Sequence, residues 1–298
     1  MGKVKYAAID IGSNAARLLI KSIDREAEDR KRFKKLLLLR VPLRLGFDVF
    51  ENGELSEKKS KQLLRLMKAF RQLMKIYDVD RFRACATSAM RDARNGQSVI
   101  REIQRETSIP IEIISGQEEA RMIYENHVEC LEDRTGNYMY VDVGGGSTEI
   151  NLLVDGNLQF SASYNVGTIR MLNRAVRPEV WEKLEQQLTE LTADLQDLHI
   201  IGSGGNINKL FRLSKQREQQ SSLSLESLQL LYDELAPLTP DERMEAFHLK
   251  QDRADVIVPA AEIFLKIGKV TRAVDIIVPV IGLADGIIDN LYLENLGR

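Results

Sequence analysis

One pattern occurs twice in this chain. Ile9-Asp10-Ile11-Gly12-Ser13-Asn14 and Val141-Asp142-Val143-Gly144-Gly145-Gly146-Ser147 both read apolar-Asp-apolar-Gly followed by small residues. A second β-rich run follows each copy. The two aspartates stand 132 residues apart, about one domain length. Self-similarity at that spacing predicts two similar domains, each opening on the same β-hairpin. The aspartates would stand at strand ends, and the glycine turns would point into a cleft across which the domains face each other.

The rest of the chain agrees with an α/β fold. Runs 4–9 and 15–23 flank the first turn, and 138–143 and 148–154 flank the second. Asp155-Gly156 then turns into a third strand over 158–164. Ser56 caps a long helix whose Leu63, Leu66, Met67, Phe70, Leu73, Met74 and Tyr77 fall at helical spacing, so that stripe is core. Strands at 36–41, 82–86, 111–114, 198–201 and 274–278 alternate with helical patterns, including a last helix from about Leu283.

Composition narrows the function classes. Hydrophobic residues make up 44% and charged residues 29%, which excludes wholesale disorder. A net charge of -2 argues against a dedicated DNA or RNA binder, while leaving room for an anionic ligand in a local basic groove. The charged stretch 24–35 reads as a solvated turn and strand entry, and Lys31 to Lys35, Arg40 and Arg44 as a solvated edge or a basic track. No apolar run reaches the roughly 18 residues of a membrane span. The start, MGKVKYAAIDIGSN, meets a glycine too early for a signal-peptide core, so a cytoplasmic location is the simple reading. Cys85 and Cys130 form no CxxC, and His127, His199 and His248 sit in no ligand spacing. His127 reads as a half-buried helix residue. Any metal is therefore a hard one held by carboxylates.

The turns suit phosphate. Without a Cβ, successive backbone N–H groups can approach an anion and form a concave nest for its oxygens. Ser13, Asn14, Ser147 and Thr148 add side-chain donors, and Asp10 and Asp142 can hold Mg²⁺ directly or through water. One such turn alone reads equally well as a plain hairpin; two copies at domain spacing point to a site. The loop Gly202-Ser203-Gly204-Gly205 opens a helix and offers a third anion contact, although strand-to-helix loops often carry glycine.

Six stretches in this order resemble one family: IDIGSN at 9–14, ATSAMRDARN at 86–95, IEIISGQEEARMIY at 111–124, VDVGGGSTE at 141–149, GSGGNINKL at 202–210, and RADVIVPAAEI with GLADGII near the end. The chain is similar to the exopolyphosphatase/guanosine pentaphosphate phosphohydrolase family, within the superfamily of actin, sugar kinases and chaperone ATPases. The resemblance implies two actin-like (ribonuclease H-like) α/β domains across a cleft, at 1–124 and 125–283, with a terminal helix at 284–298 packing back on the first. It implies Mg²⁺-dependent hydrolysis of a terminal phosphoanhydride bond in inorganic polyphosphate or, alternatively, guanosine pentaphosphate, and a homodimer.

The resemblance also assigns residues. Ser115-Gly116-Gln117-Glu118 reads as a capping box, which gives Glu118 a structural role. Glu119, about 100° further around the helix, matches the family's catalytic glutamate and would act as general base on water. Phosphate would be bound by Gly12, Ser13, Asn14, Ser88, Arg91, Gly144, Gly145, Gly146, Ser147, Gly204 and Gly205, and Mg²⁺ by Asp10, Asp142 and Glu149. A surface Arg91 paired with Asp92, and a solvent-facing Glu149, are the plainer alternatives. Two departures stand out. Phe47 follows Leu45-Gly46 where the family commonly has Glu, and the chain has the length of a short form without the C-terminal helical phosphohydrolase domain. The short form implies that long polyphosphate is released between cuts. Outside this chemistry stand a kinase-like ATP user binding at the Gly202 loop and a non-catalytic phosphate or alarmone sensor.

Overall fold

A computed structural model describes residues 3–27, 32–128, 135–214, 222–279 and 282–295, with the backbone alone over 125–128. Lys31, Cys130 and the side chain of His127 lie outside the described residues. Contacts divide the chain into Met1–Ser115 with Leu283–Arg298, and Gly116–Gly282.

In the first unit, β1 (Val4–Ile11) and β2 (Ala16–Ile23) pair antiparallel from Val4↔Ile23 to Ile11↔Ala16. With β3 (Phe33–Val41), β4 (Arg81–Ala86) and β5 (Ile111–Ile113) they form a sheet in the order β3-β2-β1-β4-β5. β3 starts three residues before the expected strand because Phe33 to Lys35 continue the ladder with β2. Helix α1 (Leu45–Asn52) follows β3, and α2 (Glu57–Ile76) follows a turn. Ser56 accepts a hydrogen bond from the Lys59 amide, the expected cap, which stabilises such a helix by about 1 kcal/mol. Next come α3 (Ser88–Asp92) and α4 (Gly96–Thr107).

Strand alternation gives this sheet two different faces. Ile9, Ile11, Leu18 and Ile20 pack with Leu63, Met67 and Phe70 of α2 and with Ile100 and Ile103 of α4. Each fully buried side chain of this kind stabilises the fold by about 1.5–3 kcal/mol. Tyr6, Ala8, Asp10, Leu19 and Lys21 occupy the opposite face. There the last helix packs against β1, β2 and β4, and the Lys21 Nζ meets Asp285 at 2.8 Å.

The second unit repeats this plan. Helix α5 (Gly116–Val128) leads to β6 (Asn137–Val143), β7 (Thr148–Val154), β8 (Asn157–Tyr164), α6 (Thr168–Leu172), α7 (Pro178–Thr192), β9 (Leu198–Ser203) and α8 (Gly205–Leu213). After β10 (Ser222–Ser224) come α9 (Leu225–Leu235), α10 (Pro240–Phe247), α11 (Gln251–Ala254), α12 (Ile257–Thr271) and β11 (Asp275–Ile277); α13 (Leu283–Leu293) returns to the first unit. The sheet order is β10-β11-β9-β6-β7-β8, so β6, β7, β8, β9 and β11 repeat the pairing of β1 to β5. The division falls after Ser115 rather than after residue 124, because α5 packs on β7 and β8. Its Tyr124 ring stands edge-on to Tyr140, centroids 6.1 Å apart. The other face of the sheet buries Met139, Val141, Ile150 and Leu152 against Leu184, Leu188 and Phe264.

Candidate functional site

Each unit builds its turn the same way. In the first, the Gly12 amide bonds the Ala15 carbonyl at 3.1 Å and closes the hairpin. The start of α1 then takes the turn's carbonyls: Gly46 N–H donates to Ser13 and Arg44 N–H to Asn14, both at 2.8 Å. The missing Cβ at Gly46 eases that approach, since a Cβ there would stand 3.1 Å from the Ser13 Cβ and 2.7 Å from the Phe50 ring. In a trans peptide the N–H following a carbonyl points the opposite way. The amides of Asn14 and Ala15 therefore face away from α1.

The second turn is anchored more heavily. Gly144 N–H closes on the Ser147 carbonyl at 2.9 Å. Thr168 N–H donates to the Gly144 carbonyl at 3.0 Å, while the amides of Ile169 and Arg170 both donate to that of Gly145. The buried Arg170 adds Nε to the Gly146 carbonyl at 2.8 Å. With three successive carbonyls drawn toward α6 and every described peptide trans, the amides of Gly145, Gly146 and Ser147 point together to the other side. That is a backbone nest for an anion. None of the turn glycines has a positive φ, so what matters at them is the missing Cβ rather than a left-handed backbone.

The two aspartates end in different company. Asp10, 2% exposed, is ion-paired with Arg17, its neighbour across the β1–β2 ladder. Asp142 has Glu149 as its neighbour across β6–β7 and Ser203 across β6–β9. Glu149 is 1% exposed, which removes the solvent-facing alternative, and it accepts a hydrogen bond from Ser163 at 2.8 Å. Gly204, at φ +101, lets the Asp142 carboxylate come close; a Cβ there would lie 2.8 Å from Oδ1. Directly opposed residues of a ladder hold their Cβ atoms about 4.5–5.5 Å apart, so Asp142 and Glu149 form a carboxylate pair.

No set of three or more His, Cys, Asp or Glu among the described residues could hold a metal ion. Two carboxylates nonetheless fit Mg²⁺, which commonly takes one or two protein carboxylates and completes its octahedron with water and substrate oxygens. Asp10 is engaged by Arg17, so the fit rests on Asp142 and Glu149.

Glu119 sits in the first turn of α5, 6% exposed, whereas Glu118 beside it is half-exposed. Asn151, two residues beyond Glu149 on the same face of β7, donates Nδ2 to the Ala120 carbonyl at 2.9 Å. This ties the helix turn that carries Glu119 to the strand that carries Glu149. In the first unit, Ser13 and Ser88 share a hydrogen bond of 2.8 Å, both buried, and Arg91 donates Nη1 to the Ile114 carbonyl at 2.8 Å. Phe47 lies under the Arg44 guanidinium, 4.1 Å from ring centroid to Cζ. Lys34 and Lys35 are exposed, as a solvated edge requires.

Four residues near these turns were not singled out from sequence: Arg17, Asn151, Arg170 and Arg253. A signal existed for the first, because Arg17 follows Asp10 by the same seven positions that separate Glu149 from Asp142. Arg253 lies over Gly205 at the start of α8, where a Cβ would stand 2.2 Å from Nη2, and it bonds the Asn206 side chain. Burial first, then the charges of Arg212 and Arg253, push the Lys209 pKa down. The Gly204–Gly205 loop thus has the Asp142 carboxylate against Gly204 and the Arg253 guanidinium against Gly205.

Comparison with known proteins follows the same line. The family model described as the Ppx/GppA phosphatase family matches residues 22–295. Over 172 residues, 56% of the chain, the sequence is 33% identical to the bifunctional 3-dehydroquinate synthase/phosphatase of Fusobacterium nucleatum, and it spans 26% of that protein's length. The crystal structure of the Aquifex aeolicus member of the Ppx/GppA family matches with a TM-score of 0.78 and 25% identity, covering 99% of each chain. An exopolyphosphatase from Cytophaga hutchinsonii matches with a TM-score of 0.84 and 24% identity, over 97% of this chain and 98% of that one, and shares its fold.

Proposed function

The chain belongs to the Ppx/GppA phosphatase family, and from that premise we propose that it hydrolyses the terminal phosphoanhydride bond of inorganic polyphosphate. The observation that carries this reading lies within the second unit. Three outward amides, Gly145 to Ser147, stand at the end of β6 and β7 beside the Asp142–Glu149 pair. The nest suits a terminal phosphoryl group, with the Ser147 hydroxyl as a further donor. Asp142 and Glu149 would hold Mg²⁺, which when bound offsets the charge of the phosphate oxygens. Gly204 and Gly205, at the start of α8 beside Arg253, would take a further phosphate. In the first unit, Gly12 to Asn14, Ser88 and the anchored Arg91 form a comparable anion-binding set.

Hydrolysis needs a base. Glu119 takes a proton from the attacking water as its oxygen bonds to the terminal phosphorus; the bridging P–O bond breaks, and orthophosphate and the shortened chain leave. The placement of Glu119 supports this role: it is buried, and its helix turn is tied by Asn151 to the strand that carries Glu149. Glu118, half-exposed and third in the helix, has the position of a capping residue.

Removing divalent cations tests the metal assignment. Exhaustive chelation should abolish phosphate release from polyphosphate, and added Mg²⁺ should restore it. Asp142→Asn and Glu149→Gln should each raise the Mg²⁺ concentration for half-maximal activity and weaken Mg²⁺ binding in direct titration. Full activity after chelation would remove the metal from the mechanism, and unchanged Mg²⁺ binding in both variants would remove Asp142 and Glu149 as its ligands.

A further inference from the structure

Helices α2 and α4 carry seven and two cationic side chains but only one and two carboxylates. That excess stands on one pair of packed helices in a chain whose net charge is -2. Charge segregated in this way marks a surface that attracts the opposite sign. On α2 the exposed Lys58, Lys61, Arg65, Lys68 and Lys75 recur at helical spacing, so they make one stripe about 25 Å long.

The stripe ends in a concavity. Between α2 and α4 lies a groove of about 570 Å³, lined by Lys68, Arg71, Gln72, Lys75, Glu106 and Ser108 among others. Lys68 reaches Glu106 at 3.0 Å, and Arg71 lies over the Phe82 ring at 5.5 Å. Three cations against one carboxylate leave the groove positive.

The occupant is constrained by what the cationic stripe itself lacks, the nearby Phe82 ring lying under the Arg71 guanidinium. Phe70 is the sole aromatic residue of α2 and is fully buried, and α4 has none. Proteins that hold single-stranded nucleic acid set aromatic rings between their cations so that bases can stack. A polyanion without bases fits a stripe without rings.

We propose that the α2–α4 face is a holding site for long linear polyphosphate, separate from the residues that hydrolyse it. The proposal rests on the polyphosphate reading above. Asp10 lies on the opposite face of the same sheet, and Ser13, Ser88 and Arg91 are not part of α2 or α4, so the face can be altered while the phosphate-binding turns stay intact. It raises affinity for long chains and does nothing for short ones.

The test is the triple variant Arg65→Ser, Lys68→Ser, Lys75→Ser, compared with the wild type in two assays. Binding of long-chain polyphosphate is titrated at several salt concentrations in chelator, and kcat/KM is measured on tripolyphosphate with Mg²⁺. The variant should bind the long chain about tenfold more weakly at low salt. Its log affinity should fall less steeply with log salt, the slope shrinking by about 2 for three lost contacts. Its kcat/KM on tripolyphosphate should equal that of the wild type. Unchanged long-chain affinity and slope would overturn the proposal. Equally tight wild-type binding of a homopolymeric RNA, lost in the variant, would overturn polyphosphate as the occupant. Long-chain binding lost in the variant, with no phosphate released by the wild type from either tripolyphosphate or long-chain polyphosphate, would support the face and overturn the hydrolase reading.

Discussion

Glu119→Gln is expected to lower turnover on polyphosphate by about 10²–10⁴-fold, the usual share of a general base. The amide keeps the size of the side chain and can still hydrogen-bond a water, but it cannot accept a proton at neutral pH. Affinity should change little, because the turn amides and the Asp142–Glu149 pair are untouched. Loss of a buried negative charge should even tighten polyanion binding slightly. Glu118→Gln is the internal control. At the third helical position a glutamine caps as well as a glutamate, so stability and turnover should both stay near wild type. Steady-state kcat and KM on both variants check the assignment. A dead Glu118→Gln with an active Glu119→Gln would reverse the two roles, and full activity in both would remove this helix from catalysis.

Gly167→Ala, which replaces no proposed site residue, is expected to be nearly as damaging. A Cβ at position 167 would stand 2.5 Å from both the N and the C of Gly146. Backbone cannot yield as a flexible side chain does, so either the 167–170 segment or the glycine turn has to shift. A shift withdraws the donors from the Gly144, Gly145 and Gly146 carbonyls and turns the nest amides out of line. Loss of a single well-aimed oxyanion donor costs about 10²–10³ in kcat, and three amides are at stake here. Overpacking of this kind also lowers stability by about 1–3 kcal/mol. Urea unfolding and kcat on polyphosphate should show a folded protein whose turnover has fallen far more than its stability explains. Wild-type turnover would mean that the nest amides do not hold the reacting phosphate.

Much of the fold was legible because the repeat is local. Asp10 and Asp142 each sit where an apolar strand meets small residues, and that pattern needs no tertiary knowledge. Ser56 and the Leu63-Met67-Phe70 stripe announced α2 for the same reason. Helix α1 escaped notice: it is eight residues long, buries few of them, has no side-chain cap, and starts from Arg44 in a left-handed conformation. At the site, Glu119 and Glu149 could be named in advance but their burial could not, since it depends on α5 lying against β7 and β8. Arg170 and Arg253 were invisible because of what they touch. One bonds a carbonyl 24 positions away and the other packs on a glycine loop and an asparagine 47 positions away. Contacts at such sequence distances leave no periodic trace in sequence.

Phosphate release measured side by side from tripolyphosphate, long-chain polyphosphate, guanosine pentaphosphate and ATP, each with Mg²⁺, tests the central claim most directly. The expected result is one orthophosphate per cut from polyphosphate, with the highest kcat/KM on a polyphosphate substrate and the label of ¹⁸O-water appearing in the released phosphate. A higher kcat/KM on guanosine pentaphosphate would transfer the same chemistry to that substrate. Release from ATP alone, or no label in the released phosphate, would contradict a polyphosphate hydrolase built on these turns.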